Sequence, residues 1–265
     1  MTQPLLDLML DAAREASAAI MEIYLTDFDT VTKADGSPVT LADQRAEQII
    51  LNRLKSTAIP VLAEENAAAG VVTELGERFF CVDPLDGTKE FLKRNGEFTV
   101  NIALIEHGRP VLGVVLAPAT GATFIGGPDG AFEISNRDER LPLRTIAEGP
   151  MTVVASRSHG HDALEGFCET FEVVDDVSVG SSLKFCLVAR GDAQLYPRFT
   201  PTSEWDTAAG QAVLEAAGGA VLAIDGTPLR YGKGGNNLNP YFIAAASPDL
   251  ALRGSAEMRS LIARN

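Results

Sequence analysis

Cysteine and histidine are scarce in this chain of 265 residues, which contains three of each. The cysteines form no C-x-x-C pair, so the sequence indicates neither a disulfide framework nor a zinc cluster, and we expect a reducing compartment. The histidines do not show the H-E-x-x-H spacing of zinc proteases. Cys81 lies within a predicted strand, where a small thiol packs in the core and does not react.

Long apolar runs and glycine-rich nucleotide motifs are also missing. No run of about eighteen apolar residues occurs, and the residues after Met1 lack a basic region followed by an apolar core, so we expect neither membrane spanning nor export. The expected location is the cytoplasm, with peripheral attachment to the inner face of the cell membrane left open. Neither G-x-x-x-x-G-K-[ST] nor G-x-G-x-x-G is present, which argues against a P-loop and against dinucleotide binding.

Positive charge is the third shortage. The chain has 22 lysines and arginines against 36 aspartates and glutamates, a formal net charge of −14. Binding of a nucleic-acid polymer depends on basic side chains that neutralise phosphates, so we expect no such partner. A small phosphate ester can still bind, because cations held by clustered carboxylates invert the local field. With 46% hydrophobic residues, the chain can bury a sizeable core.

The order of predicted elements is that of a layered α/β protein. Apolar residues at helical spacing from Leu5 to Ile23 predict a long amphipathic helix. A hairpin-like turn at Asp35-Gly36 precedes a second helix from Thr40 to about Lys55. Further strands follow, including the hairpin formed by Phe98–Ile105 and Val111–Leu116.

A polar stretch from Ser135 to Pro150 is predicted to be a loop and the best domain boundary. It divides the chain into an N-terminal half, residues 1–148, and a C-terminal half, residues 149–265. Strands and helices alternate in the second half, where one helix is expected to begin at Asp206.

The segment Asp83-Pro84-Leu85-Asp86-Gly87-Thr88 is the most informative in the chain. Two carboxylates lie three residues apart, Pro84 restricts the backbone, and a glycine and a hydroxyl follow. Magnesium prefers oxygen ligands and sits between one or two carboxylates and phosphate oxygens, so this segment predicts magnesium-dependent phosphate chemistry. Thr88 is also a plausible N-cap for the residues that follow. The alternative is an ordinary turn, since aspartate, proline and glycine are common in turns.

Two further acidic groups occur at the ends of predicted elements. Asp83 follows the predicted strand Arg78–Val82, and Glu64-Glu65 follows the apolar run Ile59–Leu62. Asp206 opens its predicted helix, although this position alone also suits a simple N-cap. Acidic side chains from these three places could converge on one cleft, as a site with several metal ions requires.

These residues together resemble the signature of the lithium-sensitive, magnesium-dependent phosphatases of the inositol monophosphatase superfamily. The resemblance is carried by Glu64-Glu65, Asp83–Thr88 and Trp205–Gly210. Within the superfamily, Gly87–Phe91, Lys93–Ile105 and Tyr196-Pro197-Arg198 are similar to the 3'(2'),5'-bisphosphate nucleotidases of the bacterial CysQ type. The resemblance spans nearly the whole chain and implies a five-layer αβαβα sandwich of the inositol monophosphatase and fructose-1,6-bisphosphatase type, with the active site where two intimately packed halves meet.

The resemblance implies a set of metal ligands. Glu64, Asp83 and the Leu85 carbonyl would hold the first magnesium ion, while Asp83, Asp86 and Asp206 would hold the second. A third ion is left open. Two such ions can bind a phosphate oxygen, deprotonate a water and stabilise the departing alkoxide.

The resemblance also implies the catalytic residues, which are Thr88, Asp43 and Glu64. Thr88 is expected to hold the attacking water with help from Asp43. Asp43 equally fits a capping box with Thr40, and one residue can serve both purposes. Glu65 is expected either to orient a water at the metal or to face solvent.

Substrate contacts are expected from seven residues: Asp86, Gly87, Thr88, Ser181, Lys184, Arg198 and Asp206. Ser181 belongs to a hydroxyl-rich helix start that could equally be a plain cap. Arg198 stands where inositol-specific relatives tend to carry an acidic residue, and an arginine there suits a second phosphate. The alternative is a surface ion pair of little energetic weight.

The predicted activity is hydrolysis of the 3'-phosphate of adenosine 3',5'-bisphosphate to AMP and phosphate, with the sulfated 3'-phosphoadenylyl analogue as a second substrate. Inositol phosphate, histidinol phosphate or fructose bisphosphate are alternative substrates within the superfamily. An alternative of another class is a non-catalytic metal-binding scaffold. A homodimer is also left open.

Overall fold

The computed structural model of the chain describes residues 2–26, 30–32, 38–155 and 162–264. The elements of the first half are α1 (Thr2–Tyr24), β1 (Thr30–Thr32), β2 (Pro38–Thr40), α2 (Leu41–Leu54), β3 (Val61–Ala63), α3 (Glu64–Ala68), β4 (Arg78–Asp86), α4 (Thr88–Leu92), β5 (Thr99–Glu106), β6 (Arg109–Leu116), β7 (Thr123–Gly127), β8 (Gly130–Ile134) and β9 (Arg140–Leu143). Those of the second half are β10 (Met151–Ala155), α5 (Asp162–Thr170), β11 (Val173–Ser178), α6 (Leu183–Arg190), β12 (Leu195–Arg198), α7 (Ala208–Ala216), β13 (Ala220–Ala223), β14 (Phe242–Ala245) and α8 (Pro248–Arg264). A single 3-10 turn, Lys55–Thr57, follows α2.

Two large sheets organise the molecule. Strands β3 to β9 form a seven-stranded sheet in chain order, antiparallel except for the parallel pair β3 and β4. The second sheet has the order β11-β10-β12-β14-β13 and is mixed. The pair β1 and β2 forms the predicted small hairpin, whose turn at Asp35-Gly36 lies outside the described residues.

The helices fill three layers around these sheets. Helices α1 and α2 contact strands β4, β5 and β6 on one face of the large sheet, and α7 contacts β5, β6 and β7. Helices α6 and α7 contact each other and the second sheet, whose strands β12, β13 and β14 also contact α8. The predicted five-layer αβαβα arrangement is confirmed. No helix in the described ranges is long and apolar enough to cross a bilayer.

The core is divided by the large sheet into two clusters. On β4, Phe80 and Val82 belong to the cluster beneath α1 and α2, while Phe79 and Cys81 belong to the other cluster. This alternation is the period of two that a strand imposes, and all four side chains are buried. The second cluster contains residues from both sides of residue 148. The division at that residue stays a prediction.

One part of the predicted layout was wrong. The polar stretch from residue 135 to 150 is not all loop, because Arg140–Leu143 forms β9 and pairs antiparallel with β8. β9 is the edge of its sheet, where Pro142 is tolerated, and a proline in so short a run argues against a strand in the sequence.

Candidate functional site

The end of β4 carries two of the predicted ligands. Pairing of β4 with β5 is regular from Arg78 to Asp83, then shifts register before Asp86 pairs with Thr99. The strand therefore runs on to Asp86 and does not end at Val82, as the apolar run suggested. Irregularities of this kind change the direction in which side chains point. Asp83 is buried, and its Oδ1 accepts a hydrogen bond from Leu85 N at 3.0 Å.

Glu64 lies beside this segment because β3 pairs in parallel with β4. Ala63, the last residue of β3, is the partner of Val82, so the next residues of the two strands are Glu64 and Asp83. Glu64 begins α3, whose N-cap residue supplies no side-chain hydrogen bond. The position of Glu64 beside Asp83 therefore suits both of its predicted roles, as a metal ligand and as a catalytic group.

Glu47 on α2 replaces that missing cap. Its buried carboxylate accepts hydrogen bonds from Glu65 N at 2.7 Å and from Asn66 N at 2.9 Å. Sequence reasoning missed this residue. The available signal was spacing, because Glu47 follows Asp43 by one helical turn and both face the site.

Asp43 makes both sets of contacts that the sequence left open. Its Oδ2 accepts from Thr40 N at 2.8 Å and from Thr40 Oγ1 at 2.7 Å, which completes a capping box for α2. Its Oδ1 accepts from Thr88 Oγ1 at 3.2 Å. Thr88 is the first residue of α4 and not its N-cap. That position belongs to Gly87, whose φ of 92° is a left-handed conformation that favours glycine.

Asp206 lies in a turn two residues before α7, so the helix does not begin there as expected. Its Oδ2 accepts from Ser203 N at 2.8 Å. Thr207 is the N-cap residue, and Ala208 is the first residue of the helix. Turns and helix starts share the same residue preferences, which explains the error of two residues. Trp205 is half-buried against the second core cluster.

Two residues missed by sequence reasoning hold this turn. Glu204 is fully buried, pairs with Lys233 Nζ at 2.7 Å and accepts from Gly232 N at 2.7 Å. Asn239 Nδ2 donates to Ser203 O at 2.8 Å, and also to the Thr207 hydroxyl at 2.9 Å. These long-range partners left no local pattern in the sequence.

The acidic residues act on one another electrostatically. Burial raises the pKa of Asp83 well above its usual value, and the charges of Glu64, Asp86 and Asp206 raise it further. The pKa of Asp206 is raised by burial, then by Asp86 and Glu64. The four carboxylates from β4, α3 and the turn before α7 therefore lie within one another's field. Their joint role as ligands of several metal ions stays a prediction.

Asp86 faces opposing influences. Its pKa is raised to about 6 by burial, although the Lys184 ammonium, a hydrogen bond from the Ser182 backbone N–H and one from the Asn101 side chain each lower it. Burial likewise raises the pKa of Asp43. Charged carboxylates in such surroundings need positive partners.

The donor set suits magnesium. All the predicted ligands offer oxygen, which is the donor that hard cations prefer. In the described ranges, no three His, Cys, Asp or Glu side chains are arranged to hold a metal ion by themselves. Magnesium tolerates this, because it is usually bound by one or two carboxylates, with waters and substrate phosphates completing the shell. The donor atoms fit the ion, and the ligand sets that the resemblance implies stay a prediction.

A cleft opens beside Asp86 and Asp206. It is lined by six of the seven residues expected to contact substrate: Asp86, Gly87, Ser181, Lys184, Arg198 and Asp206. Thr88, the seventh, is not part of the lining. Lys89 and Glu90 also line the cleft.

Lys184 and Arg198 supply positive charge in this cleft. Lys184 is buried, which lowers its pKa to about 8, and its Nζ donates to Ser181 O at 2.9 Å. Arg198 Nε donates to Thr200 O at 3.3 Å. Among the described residues no carboxylate lies within ion-pair distance of Arg198, so the surface ion pair considered from the sequence is not observed there.

Comparison with known proteins identifies the family and the relatives of this chain. The model of the inositol monophosphatase family matches residues 1–256. The 3'(2'),5'-bisphosphate nucleotidase CysQ of Shigella flexneri is 48% identical over 90% of this chain and 98% of its own length. The protein of the same name from Escherichia coli K12 is 47% identical over the same shares. The crystal structure of CysQ from Bacteroides thetaiotaomicron matches 92% of this chain and 98% of its own with a TM-score of 0.79 and 38% identity.

Proposed function

This chain belongs to the inositol monophosphatase family, and from that membership we propose that it is a magnesium-dependent 3'(2'),5'-bisphosphate nucleotidase. It hydrolyses the 3'-phosphate of adenosine 3',5'-bisphosphate to AMP and phosphate, and it also accepts the sulfated 3'-phosphoadenylyl analogue. Relatives named as such nucleotidases share almost half of its residues over nearly their full length. The proposed setting is the cytoplasm, and a homodimer stays a prediction.

The observation that carries this substrate is the charge arrangement of the cleft. Asp86 and Asp206 line it together with Lys184 and Arg198. Two cationic side chains next to an acidic cluster suit a substrate with two phosphates, one at the acidic residues and one at the basic residues. An inositol monophosphate has no second phosphate to use them.

Metal ions are part of the proposal. Glu64, Asp83, the Leu85 carbonyl, Asp86 and Asp206 would hold two magnesium ions, with a third left open. Such ions supply charge compensation at the phosphate and make the attacking water more acidic.

Thr88 would orient that water. Its hydroxyl proton is donated to Asp43 Oδ1, so Thr88 Oγ1 is left with lone pairs that can accept a hydrogen bond from the water. The water oxygen attacks phosphorus in line and the bond from phosphorus to the 3' oxygen breaks. One proton of the water ends on the new 3'-hydroxyl of AMP, and the other stays on the released phosphate. Positioning supplies most of the catalysis in a loose transition state of this kind.

The proposal is tested by phosphate release with magnesium across a panel of esters. We expect adenosine 3',5'-bisphosphate to have a higher kcat/KM than inositol 1-phosphate, histidinol phosphate or fructose 1,6-bisphosphate. AMP identified by chromatography would establish which phosphate leaves. Faster turnover of inositol phosphate would contradict the choice of substrate, and no turnover of any ester would favour the scaffold alternative.

The role of Arg198 has a sharper test in a matched pair of substrates. Adenosine 3'-monophosphate differs from the bisphosphate only by the 5'-phosphate. Arg198→Met removes the charge but keeps most of the volume. We expect it to lower kcat/KM about 10- to 100-fold for the bisphosphate, the worth of a hydrogen bond to a charged group, and to change the monophosphate less than threefold. Equal losses for the two substrates would place the second phosphate elsewhere.

A further inference from the structure

The side chain of Ser182 is buried and does not cap the helix that follows it. It is the N-cap residue of α6, where a serine ordinarily accepts a hydrogen bond from the first turn, a contact worth about 1 kcal/mol. Here the side chain makes no such bond. Its Oγ instead donates at 2.6 Å to Oδ1 of Asn101, which lies on β5 of the seven-stranded sheet.

The hydrogen bonds around Ser182 have only one consistent direction. Ser182 has a single hydroxyl proton, which goes to Asn101, so the 2.8 Å contact with Thr99 Oγ1 must be donated by Thr99. Asn101 accepts through Oδ1, so its Nδ2 faces Asp86 Oδ2 at 3.4 Å, and a carboxylate can only accept. A chain of donors thus runs from Thr99 through Ser182 and Asn101 to Asp86, and its members polarise one another.

The same serine anchors the loop before α6. Its neighbour Ser181 has a φ of 50°, an unfavourable conformation for a residue with a side chain, which persists only where surroundings enforce it. The enforcing contacts are Lys184 Nζ to Ser181 O at 2.9 Å and Gly180 N to Glu97 Oε2 at 3.0 Å. The bonds of Ser182 to β5 complete this support. Ser181 Oγ is buried and has no hydrogen-bond partner in the structure, and Ser181 lines the cleft.

We propose that Ser182 is a positioning residue that couples the substrate loop to the metal site: its hydroxyl holds Asp86 in place through Asn101 and holds Ser181 and Lys184 at the cleft. The inference rests on the proposed function for the nature of the substrate. It adds that affinity for magnesium and affinity for the phosphate ester depend on one hydroxyl that ligates neither.

The first test is Ser182→Ala, with Ser255→Ala as the matched control. Ser255 is equally buried, and its hydroxyl donates only within α8 to Leu252 O. We expect Ser182→Ala to raise the KM for adenosine 3',5'-bisphosphate and the magnesium dissociation constant each about 5- to 20-fold, with a smaller effect on kcat. Ser255→Ala should leave both within twofold. Magnesium binding is measured by calorimetry without substrate, so it reports on the inference even if another ester proves to be the substrate.

A second pair of variants tests the direction of the chain without touching Ser182. Thr99→Val keeps the shape but removes the donor, and Thr99→Ser keeps the hydroxyl. We expect Thr99→Val to weaken magnesium binding, as Ser182→Ala does. Thr99→Ser should keep most of the magnesium affinity of the unsubstituted protein. If Ser182→Ala and Thr99→Val lower the melting temperature but leave magnesium binding and KM within twofold, the hydroxyl is only structural and the inference fails. A raised KM with unchanged magnesium binding would also overturn it, because the coupling would be absent.

Discussion

Asp83 holds a carboxylate in the protein interior, where three other acidic side chains act on it. Burial and the charges of Glu64, Asp86 and Asp206 raise its pKa. The ionised form is therefore disfavoured in the folded, metal-free protein, and the contribution of Asp83 to stability falls as the pH rises from the ordinary aspartate pKa to the raised pKa of the folded state. A neutral side chain of the same shape would remove this cost.

Asp83→Asn should accordingly separate activity from stability. We expect phosphate release to fall at least 100-fold, because a ligand of both proposed ions is lost. The melting temperature in chelator should stay equal or rise, since the amide oxygen can still accept from Leu85 N. Asp129→Asn, the same change at an exposed turn, should alter neither. Unchanged turnover in Asp83→Asn would show that Asp83 is not a ligand of the catalytic ions.

Single residues show where the sequence was informative. Asp83 and Asp86 could be predicted as ligands because metal chemistry requires particular residue types at a short spacing. Glu47 and Asn101 belong to no motif: Glu47 accepts from the amides of Glu65 and Asn66, with only its spacing from Asp43 as a signal, and Asn101 donates to Asp86. Their importance follows from partners 18 and 15 residues away in the chain.

Among the elements, α3 depends on a side chain from another helix. Its first amides donate to Glu47 of α2, and Glu64 is its first residue. Hydrogen bonds to a charged acceptor are worth about 1.5–3 kcal/mol. If Glu47 were glutamine, an NH2 group would replace one carboxylate oxygen. This donor would then face the donor N–H of Glu65 or Asn66.

Glu47→Gln is therefore expected to displace the start of α3 and with it Glu64. We expect magnesium to bind about tenfold more weakly by calorimetry, and stability to urea to fall by about 1–2 kcal/mol. Glu15→Gln is the control, because Glu15 makes an exposed ion pair with Arg53, and such pairs contribute little. Equal magnesium binding in the two variants would exclude this positioning role.

Helix α7 is seated on the large sheet through glycines. A Cβ built on Gly113 of β6 would lie 2.4 Å from Ala209 O and 2.7 Å from Ala212 Cβ. Backbone cannot yield as a flexible side chain does, so the helix would have to move. Asp206 lies just before α7 and would move with it.

Gly113→Ala should lower stability by about 1–3 kcal/mol or more in urea unfolding and should also reduce phosphate release. Gly76→Ala adds the same methyl group where nothing lies within 4 Å, and it should change neither quantity. If Gly113→Ala behaved like Gly76→Ala, α7 would not be held as closely to β6 as the structure indicates.

Elements could be predicted to the extent that local patterns define them. Helix α1 and the β5–β6 hairpin follow from their periodicity. The starts of α4 and α7 were misplaced by one or two residues, because threonine, aspartate and glycine suit caps and turns equally. β9 was missed because it is only four residues long and contains Pro142, which argues against a strand except at a sheet edge.

At the scale of the whole molecule, the acidic site joins the two halves. Glu64, Asp83 and Asp86 come from the first half, and Asp206 comes from the second. The proximity of Glu64 and Asp83 follows from parallel pairing of neighbouring strands, which a sequence can suggest. The proximity of Asp206 to these residues depends on how α7 packs against the large sheet, and no local sequence pattern specifies that packing. The resemblance to a family supplied that expectation.

Magnesium should therefore stabilise the fold as well as support catalysis. The acidic side chains repel one another across the two halves, and a ligand that binds only the folded state stabilises it by about 2.7 kcal/mol at a concentration of 100 times its Kd. For a chain of this size, each kcal/mol corresponds to roughly 2–4 °C in Tm. We expect saturating magnesium to raise Tm on the order of 5–10 °C above the value in chelator, measured by calorimetry. The rise should disappear in Asp83→Asn and shrink in Asp206→Asn, whereas Asp129→Asn should retain it. An equal rise in all three variants would mean that magnesium stabilises the protein from sites other than the one shared by the two halves.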